Sequence, residues 1–415
     1  MASISLTQRR FSISPGFLAW LAFLSLCLLI GLAAAVEVFR RGLIVTNMSD
    51  SVPWGLWITV DLSAIALGAG AFTLSAVVYL FGLKRFQPIV RLAVFIGVIG
   101  YTSALLTLIM DIGRPDRFWH PWVYWNIHSV LWEITWCITI YLTIMMVEFA
   151  PVISELPFFA RWPWLRRFAH AIHKLAPVLA LAGLGISLLH QSSLGATFGV
   201  VKARPIWFKP SMPIMFIVSA VAVGPAVTMA AARIVEWVTG KKAVAHDLLR
   251  ALARFSGLGL LVYAYIKLWD LAAVTYYGRT PATSQALYLL NQQTTYGFNF
   301  WVVEMVIGIV IPVILLLVPR FQRNPFYAVF ASGLAMIGIL ANRWNVTVSG
   351  LTVPLSYSPG TIYQLPPSSY SPSLAEWGVA IGIAGYALLL FTLGVRFLPL
   401  FRSDGGAGAG GEHAG

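Results

Sequence analysis

Apolar residues fill stretches of about twenty positions along almost the whole chain, and short segments rich in Arg, Lys, Pro and Gly separate them. About twenty helical residues at 1.5 Å each match the ~30 Å hydrocarbon core of a bilayer. The pattern therefore predicts ten spanning helices, at 17–38, 54–82, 88–111, 126–149, 168–190, 211–238, 247–275, 297–318, 325–342 and 373–397. The expected fold class is an all-α integral membrane protein. Two four-helix bundles are expected, spans 2–5 and spans 6–9, with a flanking helix at each end. The expected segments are an N-terminus at 1–16, an anchor helix and loop at 17–53, the first bundle at 54–195, the second at 196–350, a loop and last helix at 351–402, and a flexible Gly-rich tail at 403–415. NIHSVLWEI (126–134) and GFNFWVVEM (297–305) both place a Glu soon after an Asn, which suggests related bundles in parallel orientation.

The composition agrees: 59% of the 415 residues are hydrophobic and only 10% are charged. The net charge of +13 does not indicate nucleic acid, because membrane proteins collect Lys and Arg in cytoplasmic loops. Arg9, Arg10, Lys84, Arg85, Arg161, Arg166, Arg167, Lys241, Lys242, Arg320, Arg323, Arg396 and Arg402 lie in the termini and even-numbered loops. Fewer, namely Arg40, Arg41, Arg114, Arg117, Lys202, Arg204, Lys209 and Arg279, lie in the odd-numbered loops. The bias places both termini in the cytoplasm of a bacterial inner membrane. The odd-loop charges suit an anionic lipid head group or an acidic partner. TQRRFSIS (7–14) resembles a twin-arginine signal, but the apolar run after it is long for one, which favours an uncleaved anchor. Two cysteines, Cys27 and Cys137, are too few for a disulfide scaffold or a four-thiolate iron–sulfur cluster. No C-x-x-C-H haem attachment motif occurs. If the protein handles electrons, a different subunit carries the metal centres.

The candidate chemistry begins at DIGRPDRFWHPWVYWNIHSVLWE (111–133), where Asp111, Arg114, Asp116, Arg117, His120, His128 and Glu133 crowd together with four tryptophans. Ionisable groups at or inside a bilayer are costly and read first as functional. Counting along the spans puts Asp61 and Glu133 roughly 10 Å below the outer surface, with Asp111, His190 and Gln191 at the outer helix ends. Residues from four helices thus converge in the outer third. Asn126, Ser129 and Glu133 share one helical face in this reading. The bland alternatives are specific. Asp61 and Glu133 could pair with Arg114, Arg117 or a helix end, and His190 could be a helix C-terminal imidazole. Trp119, Trp122, Trp125 and Trp132 fit an interfacial belt better than ring stacking on a ligand. His170, His173 and His246 read as solvated. A second cluster, Lys267, Asp270, Glu304 and Arg343, reads as an ion-pair network or a proton route.

VPWGLWITVDL (52–62), GYTSALLTLIMDIGR (100–114), NIHSVLWE (126–133), LHQSSLG (189–195), WVVEM (301–305) and NRWNVTVSG (342–350) together resemble the NrfD/PsrC-like membrane subunits of polysulfide reductases, in the ten-span HybB-type branch. The last motif is also similar to subunits of multihaem-cytochrome and quinone-reductase complexes. The resemblance implies a quinone-reactive anchor, using menaquinone or ubiquinone and holding no haem or iron–sulfur cluster itself. It implies a ferredoxin-like iron–sulfur subunit on the outer face and a further catalytic or multihaem cytochrome subunit. Carried over by motif, Asp61, Asp111, Arg114, Asn126, His128, Glu133, His190 and Gln191 would form the quinone pocket. Asp61, Glu133, Lys267, Asp270, Glu304 and Arg343 would handle protons. No metal ligands are implied. His128 departs from the pattern, since HybB-like relatives can carry Asn there. Two other classes compete. One is a secondary transporter or ion channel. The other is a di-haem cytochrome b with His128 and His190 as axial ligands.

Overall fold

The computed structural model describes residues 14–159, 162–201, 204, 206–240, 242, 244–276, 287, 290–291, 295–352, 356–357, 363–364 and 368–401. Arg9, Arg10, Arg161, Lys202, Lys241, Arg279, Arg402 and the tail from Ser403 lie outside the described residues, as do the side chains of Arg166 and His173. Among the described residues, ten helices are long and apolar enough to span a membrane. They are α1 (Pro15–Val45), α2 (Leu56–Tyr79), α3 (Lys84–Asp111), α4 (Val130–Ser154), α5 (Pro163–Gly199), α6 (Met212–Thr239), α7 (His246–Tyr276), α8 (Thr295–Leu317), α9 (Pro325–Thr352) and α10 (Leu374–Phe397). A two-residue antiparallel strand pair, Ser356–Tyr357 with Tyr363–Gln364, decorates the loop before α10.

Three ends differ from the sequence reading, each for a local reason. α4 starts at Val130 rather than 126, because the Ser129 hydroxyl caps it by accepting from the Trp132 amide at 3.3 Å. α5 does not stop at His190. The helix runs on to Gly199 through Ser192 and Thr197, whose hydroxyls bond back onto the carbonyls of Leu189 and Ser193. α9 runs past 342 through a π-helical turn at Asn345–Ser349. α8 opens with a longer π-helical stretch, Asn299–Val310. π turns are rare and concentrate at functional sites.

α2 is two helical halves, Leu56–Leu67 and Gly70–Tyr79, broken at Gly68 and Ala69. Its first half packs on α3, α3 on α4, α4 on α5, and α5 on the second half of α2, which closes a ring. α6, α7, α8 and α9 close a second ring in the same order, and α2 lies against α6 and α9 between the two. α1 lies outside both rings and packs along α10. That pairing depends on Gly31 and Gly382, since a Cβ at Gly382 would sit 2.5 Å from the Gly31 Cα. In hydrocarbon such close small-residue contact is the main attraction between helices. Gly382→Val is expected to push α1 off α10 and lower stability by about 1–3 kcal/mol, read as a drop in the thermal unfolding midpoint in mild detergent.

Candidate functional site

The first half of α2, LWITVDLSAIAL, is apolar except for small hydroxyls and Asp61. Packing against α3 on one side and α6 and α9 on the other buries the carboxyl, 2% exposed, with Oδ1 unpartnered. His190 is fully buried with both ring nitrogens unpartnered, and Gln191 is 1% exposed with both amide atoms unpartnered. One oxygen of Asp111 is buried and unpartnered too. Tyr101 joins these groups. Its ring centre lies 5.9 Å from that of His190 and 4.6 Å from that of Tyr141, and it lies within electrostatic range of Asp61, as Asp61 does of Asp111. The Tyr101 and Tyr141 hydroxyls lie beside that of Ser187, and the Ser103 hydroxyl is likewise buried without a partner.

An unmade hydrogen bond on a buried polar atom costs about 1–3 kcal/mol, so such atoms are rare singly. Here a whole group occurs between α2, α3, α4 and α5. The chain has built a buried polar lining there. The sequence reading missed Tyr101, Tyr141, Ser103 and Ser187. Helical spacing could have found one of them: Ser187 is one turn before His190 on α5.

Depth corrects the sequence reading. His190 and Gln191 do not close α5; they sit eight or nine residues short of Gly199, roughly 13 Å inside its end. The site therefore reaches from Asp111 at a helix end to near mid-membrane.

Other expected site residues are elsewhere. Arg114 is exposed and grips Asp116 through two hydrogen bonds, at 3.0 and 2.9 Å, rather than any buried carboxylate. Those bonds hold the Asp116 carboxyl below the usual range. Asn126 and His128 are exposed in the loop, where the Asn126 side chain accepts from the His128 amide at 3.2 Å. Asn126 is thus not on the face of α4 that carries Glu133. Glu133 itself is half-buried in the first turn of α4, roughly 5 Å in rather than 10. The reason is the loop's own chemistry: prolines start short helical turns at Pro115–Arg117 and His120–Val123, and the Ser129 cap restarts the chain at the surface. His128 on the surface and His190 deep inside do not face each other, so they form no axial pair. Trp125, Trp132 and Trp136 cluster with centre separations of 5.2 to 6.4 Å, and Trp119 and Trp125 are exposed, as a belt residue is.

The second ring holds its charges differently. The fully buried Glu304 pairs with Lys267, and accepts from Asn342 at 3.0 Å, Asn345 at 2.9 Å and Tyr263 at 3.4 Å. Asn299 donates to Asn345 at 2.9 Å. Arg343 does not close α9 but lies fully buried within it. Its guanidinium donates to Asn342 at 2.6 Å and Ser219 at 3.0 Å and stacks 3.8 Å over Phe216, with Nε unpartnered. Asp270 accepts from Lys209 at 2.7 Å and Ser211 at 3.0 Å. The π turns in α8 and α9 carry Asn299, Glu304 and Asn345 onto one network. The environments of Asn126 and Asn299 are unlike, for all the likeness of their motifs. The Thr59 and Thr347 hydroxyls, 2.7 Å apart, bridge the two rings. Thr347 donates to the Arg343 carbonyl, so Thr59 is the donor of the pair.

Fold and site together define a polytopic helical membrane protein with one internal polar lining and one buried ion network. The family model described as "Polysulphide reductase, NrfD" matches residues 44–354, and the chain belongs to that family. It is similar to the integral membrane subunit of menaquinone reductase from Nitratidesulfovibrio vulgaris, 35% identical over 94% of this chain and 93% of that protein. It is also similar to the Hdr-like menaquinol oxidoreductase integral membrane subunit of Archaeoglobus fulgidus, 26% identical over 89% and 90%. The probable Ni/Fe-hydrogenase 2 b-type cytochrome subunit of Escherichia coli is 26% identical over 86% and 85%.

Glu304→Ala leaves Lys267 buried without its carboxylate and takes away the acceptor of Asn342 and Asn345. It is expected to cost about 3–5 kcal/mol, seen as lost folded yield in detergent, with Glu304→Gln retaining more of the fold.

Proposed function

We propose that this chain is the quinone-reactive membrane anchor of a multisubunit oxidoreductase, with the quinone head group bound among Asp61, Tyr101, Asp111, His190 and Gln191. The observation that carries this reading is the set of buried, unpartnered polar atoms in the first ring. A quinone needs an apolar wall for its ring and tail, a donor toward each carbonyl, and groups that move protons. His190, Gln191 and Tyr101 supply donors, and Asp61 and Asp111 are carboxyls able to hold and release protons in a low-dielectric site. Bound quinone supplies a two-electron, two-proton carrier. The chain's residues position it, exclude bulk water and pass protons at Asp61 and Asp111. The names of relatives favour menaquinone over ubiquinone.

In this reading spans 2–5 and 6–9 act as two functional bundles in a bacterial inner membrane, with both termini cytoplasmic and the odd-numbered loops outside. The exposed aromatic loop of Phe118, Trp119, Tyr124 and Trp125 then faces outward, next to Arg114 and Arg117. It is the docking surface for a ferredoxin-like iron–sulfur subunit, itself bound to a catalytic or multihaem cytochrome subunit. Asn126, His128 and Glu133 belong to that rim rather than to the head-group pocket. Lys267, Asp270, Glu304 and Arg343 form a proton route from the outer end of the second bundle to its interior. A transporter would place its polar, discontinuous backbone at the midplane between repeats. The side chains of the π turns at Asn299–Val310 and Asn345–Ser349 instead bond one another, Asn299 to Asn345 and Asn345 to Glu304.

In membranes carrying the whole complex, Asp61→Asn and His190→Ala are each expected to lower quinone turnover at least tenfold, about 1.4 kcal/mol or more of transition-state stabilisation, with the complex still assembled. Wild-type turnover in both variants would overturn the site. For proton coupling, Glu304→Gln in proteoliposomes is expected to lower the proton-to-electron ratio while electron flow continues. An unchanged ratio would remove the second bundle from proton handling.

A further inference from the structure

A groove of about 710 Å³ opens at the odd-loop end between α1 and α3. α1 leans on α10 through Gly31 and Gly382, and Leu43 in its last turn reaches Gly113 just past the end of α3. Val38, Phe39, Ile109 and Phe118 make apolar walls, and the Arg114–Asp116 pair makes a charged rim. An apolar layer separates its floor from the polar site. Val38 and Ile109 also pack with Trp57 and Met110. Trp57 is one helical turn before Asp61 on α2, and Met110 is the neighbour of Asp111 on α3. Trp57 is held in place by donating its indole N–H to the Glu376 carbonyl at 3.1 Å.

We propose that this groove is the lipid-side portal of the quinone pocket and seats the isoprenoid tail, with Trp57 and Met110 as the apolar layer between tail and head group. The proposal rests on the quinone reading above. A head group among Asp61, Tyr101 and His190 needs an apolar path for its tail to the bilayer. The groove offers one at the level of Asp111, and its charged rim keeps the tail from the aqueous side. The first helix, outside both rings, acquires a role in selecting long-tailed quinones.

The test uses the intact complex and two substrates, a long-tailed menaquinone and a tail-less naphthoquinone. Ile109→Trp fills the groove, and Phe39→Ala removes a wall without adding bulk. Both variants are expected to raise KM for the long-tailed substrate about tenfold, the loss of roughly two buried methylenes. They leave kcat and the KM for the tail-less substrate unchanged. Equal losses with both substrates, or no loss with either, would overturn the portal. An ordinary lipid-filled cleft gives the second of these results. His190→Ala is the control for the underlying reading: if it leaves turnover of both substrates intact, the head-group site is wrong, whatever the groove variants do.

Discussion

Inside hydrocarbon there is no water to satisfy a polar group, and the rest of this structure follows from how each half of the chain meets that constraint. The Glu304 carboxylate is the clearest case. One lysine, two asparagines and a tyrosine surround it, and two helices depart from α geometry to bring them there. Such a network is costly to assemble and more costly to break by halves. It holds α7, α8 and α9 in register.

The first ring solves the same problem only in part. Asp61, His190 and Gln191 are as deeply buried as Glu304, yet key atoms on each find no protein partner. A stability argument alone would have eliminated these residues or bonded them. By contrast, both oxygens of the Glu304 carboxylate in the second ring are bonded. The two halves share α2 as a wall. Thr59 faces the second ring and bonds Thr347, while Asp61, two residues on, points about 160° away toward α3. The donor chain ends on the Arg343 carbonyl, which has no proton to give, so the hydroxyl bridge positions the rings and does not conduct between them.

Ten spans, a predominantly helical fold and the motifs that mark the NrfD family were legible in the chain, because hydrophobic length and short polar signatures are local properties. Asp61, Asp111, His190, Lys267, Glu304 and Arg343 were also legible as unusual, since charge or imidazole in an apolar run is visible without a structure. The loop at 111–133 misled for the same reason. Its density of charged residues drew attention, but Arg114 and Asp116 satisfy each other at the surface.

What the sequence determined by itself was which polar groups must enter the membrane, because that depends only on their neighbours in the chain. What tertiary structure decided was which of them are satisfied there. α5 continues nine residues beyond His190, which places that ring in the interior. The π turns gathered three asparagines onto one network with Glu304. Partnership inside a membrane depends on which helix faces arrive together, and no local pattern carries that information.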